Sequence, residues 1–142
     1  MSLKCVYLGL GSNIGDRLLY LKEVVLFLEK SSSIVVTQAS KVYENRAIGI
    51  SKGEDFLNAV LEVYTSFSAQ ELINFTQRIE DSMGRTRTNC WENRTIDIDI
   101  LYYEGVYLDS KKLTIPHVNI FKRDFVLKPL CDLNPELRIN KK

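Results

Sequence analysis

Apolar and polar positions change period several times along the chain, and each change predicts an element. Cys5 to Leu10 is almost continuously apolar and reads as a first strand, followed by a turn at Gly11-Ser12-Asn13. Leu18, Leu21, Val25 and Leu28 then recur at three- and four-residue spacing, which is one face of an amphipathic helix closed by Ser31-Ser32-Ser33. Ile34 to Tyr43 is rich in β-formers and predicts a second strand. Glu44 to Glu54 has glycines and little pattern and predicts a loop, and Asp55 to Tyr64 predicts a third strand. Ser68-Ala69-Gln70-Glu71 is a capping box, in which serine and glutamate satisfy each other's backbone N–H groups. The helix behind it is expected to bury Leu72, Phe75, Ile79 and Met83 and to stop at Gly84. A polar loop from Arg85 to Asn93 leads to Thr95–Leu101, and short pieces follow: Val106–Leu108, Leu113–Ile115 and an apolar run from Phe125 to Leu130.

The order β-α-β-β-α-β with a C-terminal extension predicts an α+β fold. The expected architecture is a ferredoxin-like βαββαβ sandwich, an antiparallel sheet with helices on one face, leaving the other face to carry a site. A length of 142 residues predicts one domain, 1–142. No repeat or low-complexity tract interrupts it.

Within this frame the segment Thr95-Ile96-Asp97-Ile98-Asp99-Ile100-Leu101 stands out. In a strand, Ile96, Ile98 and Ile100 face the core, while Asp97 and Asp99 share the other face with Cα atoms roughly 7 Å apart. Aspartate is depleted in strands, and two on one face repel unless water or a cation intervenes. Hard divalent cations such as Mg²⁺ take carboxylate oxygens together with water and substrate phosphates. Spacing alone leaves a metal–phosphate site and a solvated face equally open. Arg85 and Arg87 directly follow the helix-ending glycine, and Arg94 precedes the aspartates. The arginine fork binds phosphate oxygens bidentately, which weights the pattern towards a polyanion.

Other signals are weaker. Gly9-Leu10-Gly11-Ser12-Asn13-Ile14-Gly15 suggests a dinucleotide loop, but its third glycine is one residue late and no acid follows between Ile34 and Gln38. A tight strand-to-helix turn explains it better. His117, the only histidine, follows Pro116 and precedes Lys122 and Arg123, a possible second cationic cluster. Phe56 and Asn58 share a strand face, an aromatic ring beside an amide that could read a flat heterocycle. Trp91, in a polar loop, suits either a lid or a surface position.

Net charge is +1, which argues against a general nucleic-acid binder. Cys5, Cys90 and Cys131 form no Cys-x-x-Cys and no disulfide framework, consistent with a reducing cytoplasm. The short N-terminal apolar run predicts neither a signal peptide nor a membrane span.

Taken together, several segments resemble the 6-hydroxymethyl-7,8-dihydropterin pyrophosphokinase family of folate biosynthesis. They are Gly9–Asn13, Asp55–Ala59, Thr76–Glu80, Gly84–Arg87, Trp91, Arg94–Ile100, Leu113–His117 and Arg123–Phe125. The resemblance implies transfer of the pyrophosphoryl group of ATP to the pterin hydroxymethyl group, with release of AMP. It implies that Asp97 and Asp99 hold two Mg²⁺ ions bound with ATP, and that Arg85, Arg87 and Arg94 act with them in catalysis. Gln77, Glu80, Arg87, Arg94, Lys112, Thr114, His117 and Arg123 would contact ATP. Asn45, Ile48, Phe56, Asn58, Trp91, Asp97 and Phe125 would contact the pterin. A monomer in the cytoplasm is expected, with no nucleic-acid or membrane partner. Asn45-Arg46-Ala47 stands where relatives carry a proline-containing segment, and Lys112 where arginine is frequent. The competing reading is a ligand-binding regulatory module that uses the open sheet face without chemistry. An RNA-binding sheet is disfavoured by its acidic centre.

Overall fold

A computed structural model describes residues 2–13, 15–45, 56–84, 96–109, 114–115, 129 and 131–133. Strand β1 (Lys4–Ser12) is followed by helix α1 (Arg17–Glu29), β2 (Ile34–Ala39), β3 (Tyr43–Asn45), β4 (Phe56–Thr65), α2 (Ala69–Ser82) and β5 (Asp97–Tyr103). A separate two-stranded ribbon pairs β6 (Leu108–Asp109) with β7 (Thr114–Ile115). The main sheet runs β2-β4-β1-β5, with β3 also on β4, and every pairing is antiparallel. This is an α+β architecture with β1 and β4 at its centre. Among the described residues no helix is long and apolar enough to cross a membrane.

Alternation on the two central strands builds one core. Val6, Leu8 and Leu10 of β1 join Ala59, Leu61 and Val63 of β4 and Ile98 and Ile100 of β5 on one sheet face. Leu21, Val24 and Leu28 of α1 and Leu72 and Ile79 of α2 pack on that same face. The opposite face has a smaller cluster, Tyr7, Val60 and Leu101, against which Leu133 packs. That face is therefore partly covered at one end rather than wholly open.

Helices α1 and α2 begin on side-chain caps. Asp16 accepts from the Leu19 amide in α1. In α2 the capping box is complete, Ser68 accepting from the Glu71 amide and Glu71 from the Ser68 amide. Gly84 follows α2 at φ +86°, the left-handed geometry expected after a helix end.

Four sequence expectations are corrected. Gly11 and Ser12 are not a turn: β1 runs through them, and the glycine-dependent bend falls at Gly15, φ +71°. Leu18 lies outside the core, 45% exposed, and Val24 takes the buried place, because the helix turns Leu21, Val24 and Leu28 inward. The strand expected over Ile34–Tyr43 breaks after Ala39. There the Ser40 amide and hydroxyl bond the Val60 carbonyl and amide, and Asp132 accepts from the Lys41 amide and the Tyr43 hydroxyl. Glu44 and Asn45, expected in a loop, belong to β3, and Glu44 pairs with Arg17 at 2.9 Å.

Candidate functional site

The register of the three strands β4, β1 and β5 sets the site. Gly11 pairs with Asn58 on one side and Asp97 on the other, and Gly9 pairs with Val60 and Asp99. Each glycine thus lies between two cleft-facing residues, forming the rungs Asn58–Gly11–Asp97 and Val60–Gly9–Asp99. Two strand spacings put the outer Cα atoms of a rung about 10 Å apart. With no side chain on the middle strand, the sheet carries a trough there. A Cβ built on Gly11 would stand 3.3 Å from Asn58 Oδ1 and 3.7 Å from Phe56 Cδ1. One on Gly9 would meet Leu101 side-chain carbons at 3.2–3.3 Å. The cleft above, about 60 Å³, is lined by both glycines, Phe56, Asn58, Val60, Asp97, Asp99 and Leu101.

The two ends of this trough differ chemically. Phe56 is half-buried and Asn58 is 8% exposed, so a ring and an amide form one wall. Asp97 and Asp99, both half-buried, form the other. Ile96, Ile98 and Ile100 are buried beneath them, as the alternation predicts. Among the described residues no group of three or more His, Cys, Asp or Glu could hold a metal. Two adjacent carboxylates fit a hard cation that completes its shell with water and phosphate oxygens.

Glu80 projects from α2 to the other side of the aspartate strand. It is 3% exposed, and its Oε2 accepts from the Ile98 amide at 2.7 Å. Gln77, one turn earlier, is exposed. At the far end of the cleft face, Glu62 accepts from the Tyr7 hydroxyl (3.0 Å), the Thr37 hydroxyl (2.8 Å) and the Gln38 amide (3.2 Å). These bonds tie β1, β4 and β2 beside the site. Burial, together with the charges of Glu62 and Glu104, pushes the nearby Cys5 thiol up, against hydrogen bonds with Tyr64 and Tyr7 that lower it.

Of the residues singled out in the sequence, the structure brings Phe56, Asn58, Asp97 and Asp99 around one cleft and sets Glu80 behind it. Asn45 pairs with Phe56 and Thr114 with Asp109, at the level of backbone. Ile48, Arg85, Arg87, Trp91, Arg94, Lys112, His117, Arg123 and Phe125 lie outside the described residues. Sequence reasoning missed Gly9 and Gly11 as the trough floor and Leu101 as its wall. The alternation Leu8-Gly9-Leu10-Gly11 was the available signal: a strand with glycine on one face has nothing standing on that face.

A family model described as 7,8-dihydro-6-hydroxymethylpterin-pyrophosphokinase (HPPK) matches residues 7–135. The chain is 40% identical over 127 residues to the 2-amino-4-hydroxy-6-hydroxymethyldihydropteridine pyrophosphokinase of Bacillus subtilis (strain 168), covering 89% of this chain and 76% of that protein. It is 40% identical over 132 residues to the protein of the same name from Aquifex aeolicus (strain VF5), covering 93% of this chain and 81% of that one. With the Bifunctional protein FolKE of Lactococcus lactis subsp. lactis (strain IL1403) it shares 41% identity over 131 residues, 92% of this chain but 38% of that protein.

Proposed function

The chain belongs to the 7,8-dihydro-6-hydroxymethylpterin-pyrophosphokinase family, and on that premise we propose that it transfers the pyrophosphoryl group of ATP to the hydroxymethyl group of 6-hydroxymethyl-7,8-dihydropterin, releasing AMP. The observation that carries the reading is the rung Asn58–Gly11–Asp97. It sets a group able to read a heterocycle edge about 10 Å across a side-chain-free floor from an aspartate pair. A flat ring lying in the trough, against Phe56 and bonded to Asn58, brings its substituent to the aspartates. The order of the strands, β2-β4-β1-β5 with α1 and α2 on one face, supports the ferredoxin-like plan as the frame.

The chemistry asks little covalent work of the protein. The pterin hydroxyl attacks the β-phosphorus of ATP, the α,β-bridging oxygen leaves with AMP, and the hydroxyl proton is lost. What is required is in-line placement and neutralisation of charge on the phosphate oxygens. Asp97 and Asp99 would hold Mg²⁺, two ions by the family resemblance, which when bound neutralises phosphate charge and acidifies the attacking hydroxyl. Phe56 and Asn58 orient the pterin, and by the family resemblance Phe125 would contact it as well. By the family resemblance Gln77, Glu80, Arg87, Arg94, Lys112, Thr114, His117 and Arg123 receive ATP. By the same resemblance Arg85 and Arg87 would add charge stabilisation at the phosphate oxygens, and Trp91 would contact the pterin. The chain is proposed to act in the cytoplasm as a monomer.

Incubation with ATP, Mg²⁺ and the hydroxymethyl dihydropterin tests the reading by the nucleotide formed. AMP in step with pterin diphosphate supports it. ADP would point to single-phosphoryl transfer, and pterin binding without turnover would restore the non-catalytic module.

A further inference from the structure

We propose that Glu80 is a positioning residue whose buried carboxylate, fastened to the Ile98 amide, fixes how far Asp97 and Asp99 reach into the cleft. The proposal rests on reading those aspartates as the metal ligands. Its basis is the edge position of β5. Among the described residues β5 pairs in the main sheet with β1 alone, so alternate backbone N–H groups point away from that partner. Asp97 and Asp99 pair with Gly11 and Gly9, and the residue between them turns its amide to Glu80 Oε2 at 2.7 Å. That length is typical of a bond to a charged acceptor.

The acceptor is itself held firmly. Glu80 lies on the buried side of α2 with Thr76 and Ile79, and the helix is anchored by its capping box and by Leu72 in the core. A water on the Ile98 amide would satisfy the donor without fixing its distance from α2. A carboxylate on a packed helix does both. At the other end of the strand the register shifts between Tyr7 and Leu8 of β1, where Leu101 is the extra residue. The aspartate segment is therefore pinned on both sides, by helix and by bulge. Two carboxylates that must share a cation gain from such a frame, because the backbone that carries both sets their spacing and their height above the glycine floor.

This role depends on the oxygen as an acceptor for the Ile98 amide and is read in the free protein, apart from the ATP contact the family resemblance implies for Glu80, whereas a metal contact would depend on its charge. Glu80→Gln keeps an acceptor and removes the charge, while Glu80→Met removes both at similar length. Two measurements apply: hydrogen exchange of the Ile98 amide by NMR in the free protein, and the Mg²⁺ concentration giving half of each variant's own maximal AMP formation. For Glu80→Gln, the amide is expected to stay protected and the Mg²⁺ requirement to remain within about threefold of wild type. For Glu80→Met, both are expected to move by about tenfold or more, the effect of one lost charge-assisted bond. Equal impairment of the two variants overturns the proposal in favour of a charge contact, as does a Glu80→Met protein with unchanged Ile98 exchange. Should Glu80→Met not fold, Glu80→Gln still decides, since loss of protection at Ile98 there contradicts the acceptor role. A wild-type protein that forms no AMP would defeat the assigned reaction, while the amide-exchange comparison still tests the fastening.

Discussion

Gly9 and Gly11 lie two residues apart on one strand face, yet alanine at the two positions should have opposite consequences. Neither has a positive φ, so the backbone accepts alanine at both, and removing glycine's freedom in the unfolded chain contributes about 0.5–1 kcal/mol to stability. At Gly11 the new methyl stands in the trough, 3.3 Å from Asn58 Oδ1 and 3.7 Å from Phe56 Cδ1. Those neighbours need give only a few tenths of an ångström, so stability is expected to hold or rise slightly. The methyl takes space where the ring is to lie, and a methyl-sized misfit in a binding pocket is worth about 1–3 kcal/mol, roughly 10- to 200-fold in affinity. At Gly9 the methyl meets three Leu101 side-chain carbons at 3.2–3.3 Å, and Leu101 is 2% exposed, packed with Tyr7 and Val60. Overpacking of that kind costs about 1–3 kcal/mol, leaving a net loss of about 0–2.5 kcal/mol after the glycine gain. Urea denaturation gives the stability of each variant. Isothermal titration with the pterin, in the presence of Mg²⁺ and a non-hydrolysable ATP analogue, gives the affinity. Wild-type pterin affinity in Gly11→Ala would refute the trough as the ring's seat. A Gly9→Ala protein more stable than Gly11→Ala would refute the packing argument.

Three further outcomes are expected. Asp97→Ala or Asp99→Ala should lower Mg²⁺-dependent AMP formation by at least ~100-fold while the fold stays intact by circular dichroism; near-normal turnover in either would remove the metal role. Glu62→Ala removes the carboxylate shared by Tyr7, Thr37 and Gln38, of which Thr37 keeps the residue-62 carbonyl as acceptor, and should cost about 2–3 kcal/mol in urea, whereas Tyr7→Phe, which leaves the carboxylate and its other two donors in place, should cost about 1 kcal/mol; equal losses would show that Glu62 is not the hub. The raised Cys5 thiol, whose main cause is burial, stabilises the fold below the unfolded thiol's pKa, and that contribution is lost as pH climbs through the folded value. Stability should therefore decline above roughly pH 8.5, and Cys5→Ala should delay the decline to the range where Tyr102 and Tyr103, also raised by burial, titrate; an unaltered pH profile in that variant would contradict the assignment.

Much of this was legible in the sequence because it depends on local period. The Asp-Ile-Asp alternation announces which face each side chain takes, and the isoleucines are buried as expected. The capping box at Ser68 depends on four consecutive residues and is formed as read. Phe56 and Asn58 come to the aspartates because β1 pairs with both their strands, and the motif order made that partnership recognisable. What could not be read depends on contacts between distant segments. The break after Ala39 is made by Ser40 bonding to Val60 and by Asp132, which lies 91 residues beyond Lys41. Glu80's attachment to Ile98 spans 18 residues and two elements, and no helical or strand period encodes it. The glycines misled for a different reason: Gly-x-Gly beside a helix is shared by turns and by bare strand faces, and only the pairing partners separate the two.

The bulge in β5 gives the strand a tolerance in length. Leu101 and Tyr102 both answer Tyr7, so Ile100 and Tyr103 can each reach the core although three positions separate them. Flattening the bulge absorbs the loss of one residue between Asp99 and Tyr103, and the aspartates keep their phase. Loss of two exhausts that slack and turns both carboxylates into the hydrocarbon core. Length changes on the downstream side of the strand are thus buffered by one residue before they reach the cleft, whereas the stretch from Ile96 to Asp99 has no such reserve. Sequence drift in this strand should accordingly concentrate its insertions and deletions after the aspartates.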